Sequence, residues 1–175
     1  MKLLVAVTGA SGTELGLRFV QYLPDSVETH LICTDNALIA GALEHQERLT
    51  IYDDKDIAAA VSSGSYGIDA MAVIPCTMNT LAKISCGIAD NLTTRAASVV
   101  IKEGKKLLLA PREMPFSAIA LENMLKLARL GVIISPPVMG YYSSAETIND
   151  MERFVIGKCY DTLGIENTLY KRWKG

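Results

Sequence analysis

Two apolar runs, each followed by a proline-marked polar turn, constrain the fold of this chain most. Met71–Ile74 precedes Pro-Cys-Thr-Met-Asn-Thr, and Lys106–Ala110 precedes Pro-Arg-Glu-Met-Pro-Phe-Ser. Short apolar runs bounded by turns of this kind predict buried strands. In an open parallel sheet, ligands bind at the carboxyl ends of the strands. We therefore expect both turns to border one crevice, with small polar side chains on one side and the adjacent Arg112 and Glu113 on the other.

Strand-like and helix-like segments alternate along the chain. Apolar patterns predict strands over Leu3–Val7, Glu28–Thr34, Met71–Ile74, Lys106–Ala110 and Val132–Ser135. Periodicity with caps or stop residues predicts helices over Thr13–Leu23, Ala37–Glu44, Ile57–Val61, Asn79–Ser85, Asp90–Lys102, Phe116–Leu130 and Thr147–Leu163. The alternation indicates an α/β fold, a Rossmann-like doubly wound three-layer sandwich with a mainly parallel sheet. We expect a single domain over residues 1–175, with 164–175 as a tail.

The turn after the first strand is a candidate anion site. Gly9-Ala10-Ser11-Gly12 lies between a strand and a helix, where backbone N–H groups and the helix dipole favour a phosphate or an electron-rich ring. The glycines allow close approach of the backbone to a ligand. Their spacing does not make the GxGxxG motif, so a tight turn that binds nothing is the alternative.

Composition narrows the class of protein. The charged fraction of 21% is below the roughly 25% of typical domains, which indicates surface buried in an oligomer. The net charge of -2 does not support nucleic-acid binding, and no apolar run approaches the ~18 residues of a membrane helix. The four scattered cysteines favour reduced cytoplasmic thiols, and a chain with two histidines is a poor candidate for a zinc site.

Beyond these patterns, the chain resembles the UbiX-like flavin prenyltransferases over nearly its whole length. The motifs that carry the resemblance are GASG from Gly9, GSYGIDAMAVIPCTMNTLA from Gly64, GIADNLTTRAASVVIKE from Gly87, LAPREMPFSAIALENM from Leu109 and GYY from Gly140. The resemblance implies a metal-independent cytoplasmic enzyme that joins the dimethylallyl group of dimethylallyl monophosphate to N5 and C6 of reduced FMN. It also implies a homo-oligomer, a dodecamer in the family, whose prenylated FMN serves a UbiD-type aromatic acid decarboxylase.

The resemblance implies roles for residues at matching motif positions. Contacts to FMN are implied for Gly9, Ala10, Ser11, Thr34, Thr77, Met78, Asn79, Thr80 and Arg112. Contacts to the phosphate of the prenyl substrate, or positions lining its site, are implied for Tyr142, Lys158, Lys102 and Arg95. Glu113 and Glu44 match polar residues that line the site, and we expect catalytic roles for both and for Ser11. Lys158 stands where many members carry arginine, which keeps the charge but loses the bidentate fork.

The chemistry of these side chains agrees with the implied reaction. A phosphate leaving group needs fixed cations and hydrogen-bond donors where its charge develops. Ring closure needs a proton acceptor at the flavin edge, and the carboxylate of Glu113, adjacent to Arg112, is the candidate. Ser11 and Glu44 could form a proton relay. An allylic cation favours an electron-rich pocket, and Tyr142 and Trp173 are candidates to line it.

Two other functions stay open. A flavin-dependent cysteine decarboxylase, which shares the wider fold, depends on a histidine near the flavin and a Met-Trp substrate motif. Here Trp173 is the only tryptophan, and no histidine follows the glycine turn before His30. A non-catalytic FMN-binding subunit would need neither Glu113 nor Lys158. Trp173 itself is either a site residue or an anchor of the tail against a neighbouring subunit.

Overall fold

Six parallel strands form one sheet. The computed structural model describes residues 1–9, 12–33, 43 and 48–173. The strands are β1 (Lys2–Val7), β2 (Glu28–Cys33), β3 (Leu49–Asp53), β4 (Ala70–Cys76), β5 (Lys106–Pro111) and β6 (Ile133–Ile134). Their order is β3-β2-β1-β4-β5-β6, and every neighbouring pair is parallel. From β1 the chain adds β2 and β3 on one side of the sheet, and it then crosses over to add β4, β5 and β6 on the other. Sheets of this kind bind ligands at such a switch point, here between β1 and β4.

Helices cover both faces of the sheet. In the described part of the chain they are α1 (Thr13–Gln21), α2 (Met78–Cys86), α3 (Leu92–Lys102), α4 (Ala118–Arg129) and α5 (Ile148–Leu163). One core lies between the sheet and α1 with α5, and the other between the sheet and α2, α3 and α4. Alternate side chains of each strand enter the two cores, Leu108 on one side and Leu109 on the other. The predicted three-layer α/β fold is confirmed.

Side-chain caps explain where most helices begin. Each of α2 to α5 follows a residue whose side chain accepts a hydrogen bond from a backbone N–H of the first turn, and these residues are Thr77, Asn91, Ser117 and Thr147. Asp90, the first residue of the predicted helix and its expected cap, lies one residue before the observed cap Asn91 and pairs with Lys83 at 2.7 Å. The prediction of that cap was wrong by one residue.

β3 was not predicted. The acidic run Asp53-Asp54-Lys55-Asp56 at its end, which favours the start of a helix, does not begin one. Only a short 3-10 turn, Ala60–Ser62, forms where a helix over Ile57–Val61 was expected. Asp54 is buried, and its Oδ1 accepts hydrogen bonds from the backbone N and the Oγ1 of Thr93, at 2.8 and 2.7 Å. The acidic run therefore serves α3, because Asp54 ties the end of β3 to the first turn of that helix.

The helix predicted over Ala37–Glu44 lies outside the described residues, apart from Leu43, which is buried. The described end of β2 is Cys33, one residue before the predicted end of that strand. A search of the described helices finds none with the length and apolar character that crossing a membrane requires.

Candidate functional site

Thr8 joins the ends of β1 and β4. Its backbone N and its Oγ1 both donate hydrogen bonds to the carbonyl O of Pro75, at 3.3 and 3.0 Å. The same Oγ1 accepts a hydrogen bond from the backbone N of Thr77 at 3.0 Å. Because Thr8 is buried, water does not compete for these bonds. The turns after the two strands are therefore held side by side at the point where the strand order reverses.

Two glycines let three turns come together at this crevice. Gly9 and Gly12 have φ of +85° and +90°, in the left-handed region that favours glycine. A Cβ on Gly9 would lie 2.6 Å from the Cγ2 of Thr77, and a Cβ on Gly12 would lie 2.9 Å from the Nε of Arg112. The turns that follow β1, β4 and β5 therefore meet with almost no space between them.

The turn after β4 holds its hydroxyl groups in a fixed arrangement. The Oγ1 of Thr77 accepts a hydrogen bond from the backbone N of Thr80 at 3.1 Å and donates one to its Oγ1 at 2.9 Å. Thr80 is buried, Met78 is half-buried against the core, and Asn79 is exposed. Of these four residues, Asn79 therefore has the side chain most available to a ligand, beside the first backbone N–H groups of α2.

Arg112 and Glu113 lie at the rim of a roomy cavity. The Oε1 of Glu113 accepts a hydrogen bond from the backbone N of Met114 at 3.1 Å, which fixes the carboxylate to its own turn. The turn faces the Pro136–Met139 loop across a cavity of about 820 Å³. Both side chains are exposed, so a fixed positive charge and a carboxylate stand next to each other where a ligand can reach them.

Tyr142 and Lys158 line a second cavity of about 550 Å³, together with Tyr170, Arg172 and Trp173. The Nζ of Lys158 lies 6.0 Å from the ring centre of Tyr170. Tyr142 and Lys158 also line a smaller cavity of about 280 Å³, whose wall shares residues of the Pro136–Met139 loop with the cavity of Glu113. Three neighbouring cavities therefore run from Glu113 to Lys158.

Lys102 and Arg95 do not join this group within one chain. Lys102 ends α3 near the start of β5, at the amino end of the sheet, and pairs with Glu103 at 2.7 Å. Arg95 is exposed in the first turn of α3, and neither residue lines the cavities described around Glu113 and Lys158. Ala10, Ser11, Thr34 and Glu44 lie outside the described residues.

Nucleophilic and metal chemistry gain no support from the described residues. Cys76, next to the crevice, is buried, and this burial raises the pKa of its thiol to about 12. A thiol with such a pKa is protonated at neutral pH and is a poor nucleophile. No group of three or more His, Cys, Asp or Glu side chains in the described ranges could hold a metal ion.

Tyr170 and Arg172 were not predicted as residues of this region. Both come from the segment after α5, which we expected to be a polar tail. A signal was present in the sequence, because Tyr170, Arg172 and Trp173 put aromatic and basic side chains close together. Such side chains combine readily around anionic or unsaturated ligands.

Known proteins are similar to this chain over nearly its whole length. Residues 1–159 match the model of the family described as Flavoprotein. The chain is 46% identical over 184 residues to the flavin prenyltransferase UbiX of Helicobacter pylori, which covers 99% of this chain and 98% of that protein. A dodecameric FMN-dependent UbiX-like decarboxylase from Escherichia coli O157:H7 is 42% identical with a TM-score of 0.87, covering 100% of both chains. AnUbiX (PadA1), solved in complex with FMN and dimethylallyl pyrophosphate, is 36% identical with a TM-score of 0.88, covering 99% of this chain and 97% of that one. The chain therefore belongs to the flavoprotein family and, within it, to the UbiX flavin prenyltransferases.

Proposed function

We propose that this chain is a flavin prenyltransferase that transfers the dimethylallyl group of dimethylallyl monophosphate to reduced FMN. The observation that carries the proposal is the row of cavities that begins beside the Arg112–Glu113 turn and ends at Lys158. A flavin in the crevice and a prenyl phosphate beside Lys158 would face each other along this row. Membership in the UbiX family supports the same assignment.

The flavin binds in the crevice where the turns after β1, β4 and β5 meet. Gly9 and Gly12 let Thr77 and Arg112 pack closely against the first turn, and Asn79 and Arg112 provide polar contacts at the edge of the crevice. Ala10, Ser11, Thr34 and the Thr77–Thr80 turn complete the proposed contacts. These donors suit a phosphate-bearing ring, because backbone N–H groups at helix starts favour anions.

The protein assists two bond changes. The bond from flavin N5 to the allylic carbon forms as the carbon–oxygen bond to phosphate breaks, and Lys158 and Tyr142 stabilise the charge that develops on the leaving phosphate. N5 gives up its hydrogen as a proton. The alkene then takes up a proton at one carbon while its other carbon forms the bond to flavin C6, and C6 loses its own proton. Glu113 accepts that proton, with Glu44 and Ser11 as a relay. The reaction forms two bonds to carbon and releases inorganic phosphate without an external oxidant.

The working enzyme is a homo-oligomer, which we expect to be a dodecamer. Apolar side chains on α4 are exposed in the single chain: Ile119 by 73%, Leu121 by 53% and Leu125 by 52%. Exposed apolar surface of this kind marks an interaction site. Since Lys102 and Arg95 do not line the Lys158 cavity of their own chain, we propose that they serve the cavity of a neighbouring subunit. Light scattering that reports a monomer at micromolar concentration would contradict the assembly.

The product is prenylated FMN, which we propose is passed to a UbiD-type decarboxylase in the cytoplasm. Free thiols at Cys76, Cys86 and Cys159 are compatible with that compartment. The cysteine decarboxylase alternative gains no support from His30, which is buried on β2 and hydrogen-bonded to Tyr52 and Glu28. A non-catalytic FMN-binding subunit would bind FMN but form no prenylated flavin, so an activity measurement distinguishes it from an enzyme.

Release of inorganic phosphate tests the proposal. The protein is incubated without oxygen with reduced FMN and dimethylallyl monophosphate, and phosphate is measured against a sample that lacks FMN. We expect one phosphate for each FMN consumed, and none without FMN. Dimethylallyl diphosphate is run in parallel to identify the leaving group. Phosphate release that does not depend on reduced FMN, or no release at all, would contradict the proposal.

A further inference from the structure

The segment after α5 turns back along that helix instead of extending into solvent. Gly164, with φ of +85°, ends the helix, and Ile165 is buried in the core shared by α1 and α5. Leu169 packs against the same core, and its carbonyl O accepts a hydrogen bond from the Nε of Arg153 at 3.3 Å. Two apolar contacts and one hydrogen bond thus fix the direction of residues 165–173, here called the C-terminal tail.

Asp161, in the last turn of α5, is the point to which the tail is tied. Its two carboxylate oxygens accept hydrogen bonds from the guanidinium of Arg172 at 2.7 and 3.0 Å, a bidentate ion pair. The same carboxylate accepts from the hydroxyl of Tyr170 at 2.5 Å and from the Nδ2 of Asn167 at 2.9 Å. One side chain therefore holds three residues of the tail.

The ionisation of Asp161 favours this arrangement. Partial burial acts to raise the pKa of its carboxyl group, but hydrogen bonds from Arg172, Tyr170 and Asn167 outweigh it and leave the pKa below its ordinary value. Burial and the hydrogen bond to Asp161 raise the pKa of Tyr170 to about 12. At neutral pH the acceptor is charged and the phenol keeps its proton, so all these bonds are available.

A second contact, independent of Asp161, holds the ring of Tyr170. A Cβ on Gly157 would lie 2.5 Å from the Cδ1 of Tyr170, so the ring rests directly on the helix backbone at this glycine. Phe154, one turn earlier, packs edge-on against the same ring with centroids 5.3 Å apart. Gly157 and Asp161 are four residues apart and lie on one face of α5.

The docked tail supplies most of the wall of the cavity at Lys158. Of the five side chains that line it, Tyr170, Arg172 and Trp173 belong to the tail, whereas Tyr142 and Lys158 belong to the body of the protein. Asp161 does not line the cavity. It also takes up the charge of Arg172, whereas no described carboxylate pairs with Lys158. Lys158 thus remains the cation available to an anionic ligand.

We propose that Asp161 is a positioning residue for the prenyl phosphate, because it clamps the C-terminal tail to α5 so that the tail walls the cavity of Lys158. The proposal rests on the proposed function in taking that cavity as the substrate site. Asp161 acts through Tyr170 and Arg172 and touches neither the flavin nor the phosphate. Its effect belongs to the binding of the prenyl substrate rather than to the chemical step.

Asp161→Asn tests the clamp, since it keeps the shape of the side chain and removes its charge. We expect the KM for dimethylallyl monophosphate to rise by about ten-fold to 100-fold, in line with the loss of charged hydrogen bonds. We expect kcat to change by less than about three-fold and FMN affinity to stay unchanged. Asp69→Asn is the matched control, because the Asp69 carboxylate also accepts a hydrogen bond, from the backbone N of Lys2, but Asp69 contacts no residue of the tail and lines none of the cavities described around Lys158.

Trp173 provides a direct readout of the tail, since it is the only tryptophan in the chain. In the assembled, FMN-loaded protein, Asp161→Asn should lower the fluorescence anisotropy of Trp173 and speed tryptic cleavage after Lys171 and Arg172. Gly157→Ala should produce the same two changes and the same rise in KM, because it displaces Tyr170 while leaving Asp161 in place. Agreement between two unrelated variants separates release of the tail from a local defect.

The outcomes separate this inference from the proposed function. Release of Trp173 with an unchanged KM, or no release in Asp161→Asn, would overturn the clamp while the prenyltransferase assignment stands. If the unaltered protein makes no prenylated flavin, the proposed function fails. The clamp is then judged by equilibrium dialysis of dimethylallyl monophosphate, which Asp161→Asn should bind more weakly than the unaltered protein. Equal binding by the two proteins would overturn it.

Discussion

At the scale of single residues, Gly12 has to satisfy both a backbone and a packing requirement. Its φ of +90° disfavours any other residue by about 1–2 kcal/mol, and the space for a Cβ is taken by Arg112. We expect Gly12→Ala to weaken FMN binding by at least about ten-fold, since a contact to a charged group is displaced. The measurement is a titration of FMN, followed by flavin fluorescence.

Gly67→Ala is the control for that titration. Gly67 has a similar φ of +86°, but a Cβ there would have no atom within 4 Å. Both variants should lose stability in thermal unfolding through the same backbone strain, and only Gly12→Ala should lose FMN affinity. Equal affinity in the two variants would mean that the glycine turn does not border the flavin.

Glu113→Gln is expected to slow prenylation by about 10²–10⁴-fold while FMN binding stays normal. Glutamine keeps the hydrogen bond to the backbone N of Met114 but cannot accept a proton from flavin C6. A flavin alkylated at N5 and not yet closed at C6 should accumulate in single-turnover spectra. A variant as fast as the unaltered enzyme would show that the proton leaves by another route, with Glu44 and Ser11 the next residues to test.

The sequence predicted the residues of this site unevenly. The turns at Thr77–Thr80 and Arg112–Glu113 follow buried strands, so their place at one crevice could be derived from the rule that parallel strands bind ligands at their carboxyl ends. Gly9–Gly12 could be derived as an anion site at the end of the first strand. Tyr170 and Arg172 could not be derived in this way. Their position depends on Asp161 and Gly157, and a tail of polar character carries no periodicity that would indicate such contacts.

At the scale of secondary-structure elements, Asp54 stabilises the start of α3. Both carboxylate oxygens of Asp54 accept hydrogen bonds, one from the Nδ2 of Asn91 and the other from Thr93. Asp54→Asn replaces one of these acceptors with an NH₂ group, which cannot accept. It also removes a negative charge near a helix N-terminus. We expect a loss of about 1–3 kcal/mol, or roughly 2–4 °C in Tm for each kcal/mol. Calorimetry measures the shift, and Asp53→Asn, at an exposed neighbour, should change Tm by less than about 2 °C.

The C-terminal tail should respond to acid. Because hydrogen bonds hold the pKa of Asp161 below its ordinary value of ~3.9, its contribution to docking is complete above pH ~4. It is lost as the pH falls through the lowered pKa of the docked state. The anisotropy of Trp173 should therefore stay constant from pH 8 down to about 5 and decrease only in stronger acid. Circular dichroism defines where the whole protein unfolds, and a midpoint near pH 6.5 would assign the change to a different group.

Elements were predictable where burial on both faces produced continuous apolar runs. β1, β4 and β5 are buried along nearly their whole length, and their positions agree with the apolar segments of the sequence. β3 was missed because Leu49–Asp53 is an edge strand with largely exposed side chains, so no apolar run distinguishes it from a loop. The Ile57–Val61 helix was wrong because Asp54, expected at its start, is used by α3.

At the scale of the whole molecule, a single chain does not bring Lys102 and Arg95 to the cavities around Glu113 and Lys158. Lys102 lies at the amino end of the sheet, and the α4 face with Leu121 and Leu125 is apolar and exposed. The assembly proposed above would account for both observations, since it would bury the apolar face and bring basic residues of one chain to the cavity of another. The surfaces through which two copies meet could not be derived from the sequence, because contacts between copies leave no periodic pattern within a chain.

The mass of the bound flavin tests the central claim most directly. The protein is loaded with reduced FMN, incubated without oxygen with dimethylallyl monophosphate, and denatured so that the released flavin can be weighed by mass spectrometry. Our account predicts FMN enlarged by one five-carbon dimethylallyl-derived unit, in an amount that approaches the number of protein chains. Unmodified FMN after full incubation, with the protein folded and FMN-bound, would contradict it.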